Sequence, residues 1–363
     1  MKKIFIAATK QNDGKTTVSL GLICNLKNRF KNVSFIKPIG QRYLEEEGQK
    51  VDEDSVLVEH VLGIKKSQLK DMSPIAVEKG FTETYIVKPD PGSISKQIRQ
   101  SYGHLTKGCD LVVIEGTGHA GVGSVFDHSN AKVARLLGSK VIIISSGGVG
   151  RPIDEILLNK ALFEKEGVKV AGVIVNKVLP EKFDKIKKLV KQGLARKGVE
   201  VFGVMPYNPI LSYPKVSQIL EETDYKLLCG SKSLNRVLSK IIVGAMTPAD
   251  CLPYIVDHTL LITPGDREDI IKMALSCVKD DNKEELKIAS IVLTGGIMPS
   301  KDIMDTLEEK SIPVLLTRND TYDVASTIHD LTVKIRPEDK DKIEMAVKFI
   351  KDYVDLDKIV ERM

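Results

Sequence analysis

The sequence predicts an α/β fold in two parts: a parallel sheet covered by helices, then a smaller α/β domain. Three observations carry this expectation. Short runs rich in Val and Ile alternate with longer amphipathic stretches as far as residue 205. The first run leads into a glycine–lysine–threonine turn followed by a helical pattern. A proline-rich stretch, with Pro206, Pro209 and Pro214 beside Asn208 and two tyrosines, punctuates the chain before a second, shorter alternation.

The apolar runs at 4–7, 33–36, 111–114, 141–144, 171–175 and 201–204 are nearly continuous. Continuous apolarity suits strands buried on both faces of a parallel sheet. After the first run, Val18, Leu22, Leu26 and Phe30 recur four apart, a single helical face. Residues 152–166 read as another helix, with Pro152 near its start and Gly167 just past its end. Beyond the prolines, strands are expected at 240–245, 259–263, 288–294 and 314–317, and helices at 267–277, 301–309 and 322–330. The domains so defined are 1–207, a linker and connecting helix at 208–232, 233–336, and a helical tail at 337–363.

Composition narrows the function. A chain of 363 residues suits about two domains. The net charge of +5, from 54 Lys and Arg against 49 Asp and Glu, is mild and interspersed, so nucleic acid is not an expected partner. No window nears the ~20 apolar residues of a membrane helix. The apolar start halts at Thr9-Lys10, too short for a signal core, and a cytoplasmic protein is expected. Cys24, Cys109, Cys229, Cys251 and Cys277 are odd in number and form no C-x-x-C pair, which favours buried free thiols in a reducing compartment over zinc or disulfides. Cys251 and Cys277 lack the glycine turn of an amidotransferase nucleophile. Gly121-Val122-Gly123-Ser124 does not make a hydrolase elbow, and His119 and His128 beside it read as loop histidines.

The strongest chemical signal is the first turn. Strand 4–7 runs into Ala8-Thr9-Lys10-Gln11-Asn12-Asp13-Gly14-Lys15-Thr16-Thr17, and a helix follows. That context is the one a phosphate-binding loop requires, because N–H groups at a helix N-terminus point at a bound anion. Thr9 stands where such loops have their first glycine. In such a loop Lys15 is expected to reach the β- and γ-phosphates as a point charge, the Thr16 hydroxyl to ligate Mg²⁺, and Thr17 to contact the α-phosphate. Thr9, Lys10, Asp13 and Gly14 complete the candidate nucleotide-binding set. Three further residues close the expected strands at the same edge. Glu115 is an acid placed for the metal, Lys37 follows strand 33–36, and Asn176 is an amide placed to read a base edge.

In order and spacing, Thr9–Thr16, Lys37-Pro38, Asp52/Asp54, Glu115-Gly116 and Asn176 resemble dethiobiotin synthetase-like P-loop proteins. The resemblance implies a P-loop parallel sheet that binds ATP and Mg²⁺. It assigns Lys15 and Lys37 to the transferred phosphate, Thr16, Asp54 and Glu115 to the metal (with Asp52 as the alternative to Asp54), and Asn176 to adenine. Lys10 occupies the place of the extra lysine of ParA-like proteins, which acts across a dimer; an exposed loop lysine is the plain alternative. Farther on, Asp266-Arg267 and Thr294-Gly295-Gly296, followed by Thr321, look like the DRTGG domain. The combination resembles the N-terminal half of long bacterial phosphotransacetylases.

That resemblance implies a homo-oligomeric metabolic regulator with slow or no ATP hydrolysis. Asp266, Arg267, Thr294, Gly295, Gly296 and Thr321 are then candidates for a small-metabolite effector. Helix capping and turning are the plain reading of the same residues. The alternative is an ATP-dependent ligase, dethiobiotin synthetase or cobyrinic acid a,c-diamide synthase-like, acting on an unknown carboxylate. Gly116-Thr117-Gly118-His119 departs from the synthetase Gly-Ala-Gly-Gly pattern and weighs against dethiobiotin synthesis.

Overall fold

The computed structural model describes residues 1–46, 48–277, 287–331 and 333–363. The chain forms two compact units, 1–208 together with 335–363, and 209–334.

The first unit is built on six parallel strands. They are β1 (Lys2–Ala8), β2 (Val33–Ile36), β3 (Leu111–Glu115), β4 (Lys140–Ser146), β5 (Val170–Val178) and β6 (Val201–Pro206), in the spatial order β6-β5-β4-β1-β3-β2. Each contains one of the expected apolar runs. The central strands are buried along their middles, as at Ile4, Phe5, Ile6, Val112, Val113 and Ile142. A strand covered on both faces has no polar side to show in sequence. The chain order reverses across β1, so a crevice forms where β1, β3 and β4 end.

Three of the helices begin at side-chain caps. The first helix of the chain, α1 (Lys15–Leu26), starts at Gly14 and ends before the expected Phe30. α2 (Glu53–Leu62) is capped by Asp52, whose side chain accepts from the Asp54 N–H at 3.0 Å, and it stops at the left-handed Gly63. α3 (Pro91–Leu105) has Asp90 as its cap and proline at its first position. α4 (Asn130–Leu136) is capped by Ser129. α5 (Gly150–Lys165) and α6 (Phe183–Ala195) complete the cover.

The 337–363 segment belongs to this first unit. Its helices α11 (Lys340–Tyr353) and α12 (Leu356–Arg362) return to the sheet that the chain left at 208. Helix α11 lies against α1, where a Cβ on Gly21 would come within 2.4 Å of Ile350 Cγ1. Asn25 Nδ2 donates to the carbonyls of Gly21 and Val347 at 2.8 and 2.9 Å, stitching the pair together.

The second unit holds β7 (Lys226–Cys229), β8 (Lys240–Val243), β9 (Thr259–Pro264), β10 (Ile288–Thr294) and β11 (Val314–Leu316), ordered β7-β11-β10-β9-β8. Four strands are parallel and β7 is antiparallel. Helices α7 (Val216–Glu222), α8 (Glu268–Ser276), α9 (Lys301–Glu309) and α10 (Thr321–His329) accompany them. The stretch 208–232, read from sequence as linker and connecting helix, supplies α7 and the edge strand β7 to this unit. Pro209 and Pro214 obscured the short Lys-Leu-Leu-Cys run at its end.

All five cysteines are free; Cys229 and Cys251 are buried, the other three partly so. Among the described residues, no helix is long and apolar enough to cross a membrane.

Candidate functional site

The site of the first unit lies at the carboxyl ends of β1, β2 and β3. Strand β1 ends at Ala8, and the loop to α1 is held from within. Asp13, almost wholly buried, accepts from the Thr9 hydroxyl at 2.7 Å and from the Lys10 N–H at 3.0 Å through one carboxylate oxygen. The Thr9 hydroxyl also lies 3.3 Å from Ser145 Oγ on β4. Thr9 therefore replaces a glycine with a side chain that pins the loop to its own acid and to the neighbouring strand.

Gly14 has φ +94°, a left-handed backbone that glycine adopts without penalty. Asn176, at the end of β5, touches the loop at this point. Its Nδ2 donates to the Asp13 carbonyl at 3.0 Å, and its Oδ1 accepts from the Lys177 N–H at 2.8 Å. Lys177 Nζ donates to the Asn12 carbonyl at 2.6 Å. The Asn176 amide expected at a base edge is thus engaged with the phosphate-loop backbone.

The acidic side of the site comes from three elements. Glu115 closes β3, Asp54 sits in the first turn of α2, and Asp52 caps that helix. The Thr16 hydroxyl lies 3.1 Å from Asp54 Oδ1 and 3.3 Å from Glu115 Oε1, so Asp54 shares Thr16 with Glu115 while Asp52 Oδ1 serves the helix cap. Lys37, buried just beyond β2, has its Nζ 2.9 Å from Asp52 Oδ1, in contact with Asp54 Oδ2, and 3.9 Å from Glu115 Oε1.

These charges shift one another. Burial, and then the neighbouring Asp54, pushes the Glu115 carboxyl up to about 7, against the opposing pull of Lys37 and Lys15. Burial alone would lower the Lys37 ammonium, but Asp54, Asp52 and Glu115 outweigh it and raise it. Lys15 is lowered, by burial first and by Lys37 as well, despite Glu115, Asp54 and Asp13.

A magnesium ion fits this donor set. Glu115 Oε2 is buried with no hydrogen-bond partner among the described residues, and Thr16, Asp54 and Glu115 offer hard oxygens from three elements. Among the described residues, no group of three or more His, Cys, Asp and Glu side chains is arranged to hold a metal by itself. Mg²⁺ ordinarily takes one or two carboxylates and completes its shell with phosphate oxygens and water, so the two facts agree.

The loop after Glu115 is shaped by residues that no sequence motif marks. Asn130, the first residue of α4, accepts from the Thr117 N–H at 3.1 Å and donates to the carbonyls of Thr117 and His119 at 2.6 and 2.7 Å. Asn159 on α5 accepts from the Ala120 N–H at 2.8 Å. An amide among the apolar positions of a helix was the available signal. Of the two histidines, His119 is exposed. His128 is buried between Ser95 Oγ and the Phe126 carbonyl, at 2.8 and 2.9 Å.

In the second unit, Pro264 pairs with Thr294 and Leu293 with Leu316 in register. The turns after β9, β10 and β11 therefore share one sheet edge. Their polar groups bond among themselves. The Arg267 guanidinium donates to both Asp269 oxygens at 2.9 and 3.0 Å and to the carbonyls of Gly244 and Met246 at 3.2 and 2.9 Å. Thr294 and Thr321 share a hydroxyl bond of 2.8 Å. The N–H groups of Gly295 and Gly296 donate to the carbonyls of Asn319 and Thr317. Asp266 is exposed.

Two family models match the chain. The family model described as AAA domain matches residues 2–215, and the DRTGG domain model matches residues 218–331. The phosphate acetyltransferase of Pseudomonas putida is 28% identical, over 98% of this chain and 51% of that protein. The phosphate acetyltransferase of Synechocystis is 26% identical, over 98% and 51% respectively. The chain thus spans about half the length of these relatives. Among solved structures, the MinC:MinD cell division protein complex of Aquifex aeolicus is similar at 16% identity and a TM-score of 0.38, over 58% of this chain and 84% of that one.

Proposed function

This chain belongs to the AAA-domain family, joined here to a DRTGG domain, and from that membership we propose that it is a nucleotide-responsive regulator. In this reading the first unit binds a purine nucleoside triphosphate, ATP foremost, and the second unit couples that binding to assembly or to a small metabolite. The observation that supports it best is the convergence of the Gly14–Thr16 turn, Asp54, Glu115 and Lys37 at one strand edge.

The chemistry follows from the residues. The first N–H groups of α1 and the Lys15 ammonium bind the phosphates. Mg²⁺, when bound, neutralises phosphate charge; Thr16, Asp54 and Glu115 would hold it, and Asp13 and Asn176 keep the loop in shape. The loop after Glu115 is fixed by Asn130 and Asn159 through backbone bonds. The turns of the second unit hold no nucleophile–base pair among their described residues, which suits a binding or interface role. Turnover is expected to be slow or absent.

Isothermal calorimetry with a nonhydrolysable ATP analogue and Mg²⁺ tests the reading. Replacing Lys15 by Ala removes a charge-assisted contact worth about 1.5–3 kcal/mol, or roughly tenfold or more in affinity. Equal, weak binding by wild type and Lys15→Ala would end it. Phosphate release that depends strongly on an added carboxylate, diaminononanoate among the panel, would instead establish an ATP-dependent ligase.

A further inference from the structure

Lys37 stands among the same oxygens that would face a divalent cation. Its Nζ contacts Asp54 and Asp52 and lies 3.9 Å from Glu115; Asp54 and Glu115 are the two carboxylates that meet the Thr16 hydroxyl. We propose that Lys37 is an internal counter-ion that competes with the divalent cation for these carboxylates, so that the cation enters together with nucleotide phosphates and not ahead of them. The proposal rests on the nucleotide reading above and adds an order of events to it.

The physical case has three parts. Buried carboxylates cost several kcal/mol each to desolvate, and a cation among them is what makes their burial tolerable. An ammonium and a divalent ion repel strongly at these separations, so the two exclude each other from one set of oxygens. The lysine stem is flexible and carries a compact charge, so it can leave without disturbing β2. It leaves only if another anion receives it, and a nucleotide's phosphate chain provides that anion beside Lys15. Phosphate oxygens also supply the ligands that Thr16, Asp54 and Glu115 do not. Nucleotide and metal must then raise each other's affinity by the same factor.

The test uses Mn²⁺ alone as probe, with the nucleotide-free full chain, reading free Mn²⁺ by electron paramagnetic resonance. Wild type should bind Mn²⁺ weakly. Lys37→Met, similar in length but uncharged, should bind it at least about tenfold more tightly, since the repulsion is gone. Lys37→Arg, which keeps the charge, should stay as weak as wild type. The Lys37→Met melting temperature should lie below that of wild type in chelator and rise markedly on adding Mn²⁺. If Lys37→Met does not fold without metal, it is refolded from urea with and without Mn²⁺. Recovery only with Mn²⁺ supports the proposal, and failure in both overturns it. Equal Mn²⁺ affinity in wild type and Lys37→Met also overturns it. A parallel titration of wild type with Mn²⁺ and ADP separates the two ideas. If wild type binds Mn²⁺–ADP but Lys37→Met gains nothing with Mn²⁺ alone, only the counter-ion idea fails. If wild type binds neither Mn²⁺–ADP nor Mn²⁺ with a nonhydrolysable ATP analogue, the nucleotide reading fails and takes this proposal with it.

Discussion

Replacing Gly14 by Ala probes how the phosphate loop is held. The backbone there is left-handed, at φ +94°, and a Cβ would lie 2.3 Å from Asn176 Nδ2. An L-residue in that region costs roughly 1–2 kcal/mol. The Cβ also displaces the Asn176 amide, whose 3.0 Å bond to the Asp13 carbonyl contributes about 1 kcal/mol. Together the expected loss is about 2–3 kcal/mol, or about 4–12 °C in the melting temperature of a unit of this size. Thermal unfolding followed by circular dichroism reads it. In an Asn176→Ala background the clash is absent, and Gly14→Ala should then cost only the backbone part, about 1–2 kcal/mol. Affinity for an ATP analogue should fall alongside stability, because the same amide shapes the loop. A Gly14→Ala protein within about 0.5 kcal/mol of wild type would refute the argument, as would an equal cost in both backgrounds.

Three other outcomes follow from the geometry. Glu115 is raised to about 7, above its ordinary value of 4.5, so between those values the folded state holds a proton that the unfolded chain releases. The contribution of this group to nucleotide-free stability should fall as pH rises through 7 and level off above it, and Glu115→Gln should flatten the melting profile between pH 5 and 8. Arg267→Ala removes two carbonyl bonds and an exposed ion pair, so it should lower the melting temperature of the second unit by the equivalent of about 1–2 kcal/mol and leave calorimetric nucleotide binding intact. A chain cut after Asn208 lacks α11, which covers α1; joining 1–208 to 335–363 through a flexible glycine–serine linker should restore a cooperative melt and nucleotide binding that the cut chain has in weaker form.

The parts of the fold most legible in the sequence were those fixed by local pattern. Strands β1 to β6 stood out because burial on both faces leaves unbroken apolar runs, and the turn at Gly14 because strand, loop and helix follow one another directly. Lys37, Asp54 and Glu115 were named in advance, and the structure gathers them around Thr16. What stayed hidden depends on distant packing. Helix α11 looks like a free amphipathic tail, since nothing near 340–353 reveals that Gly21, more than 300 positions away, leaves space for it. Asn130 and Asn159 act through backbone groups of another loop, a role that leaves no spacing motif. Asn176 was readable as important, but its engagement with Asp13 is a contact between β5 and the first loop that only the sheet order creates.

Hydrogen–deuterium exchange of the full chain, with and without Mg²⁺ and a nonhydrolysable ATP analogue, tests the location of the nucleotide site most directly. Exchange should slow at the amides of residues 10–17 and in the loop 116–120. Analogue binding that leaves those amides unchanged and protects another segment would contradict that location.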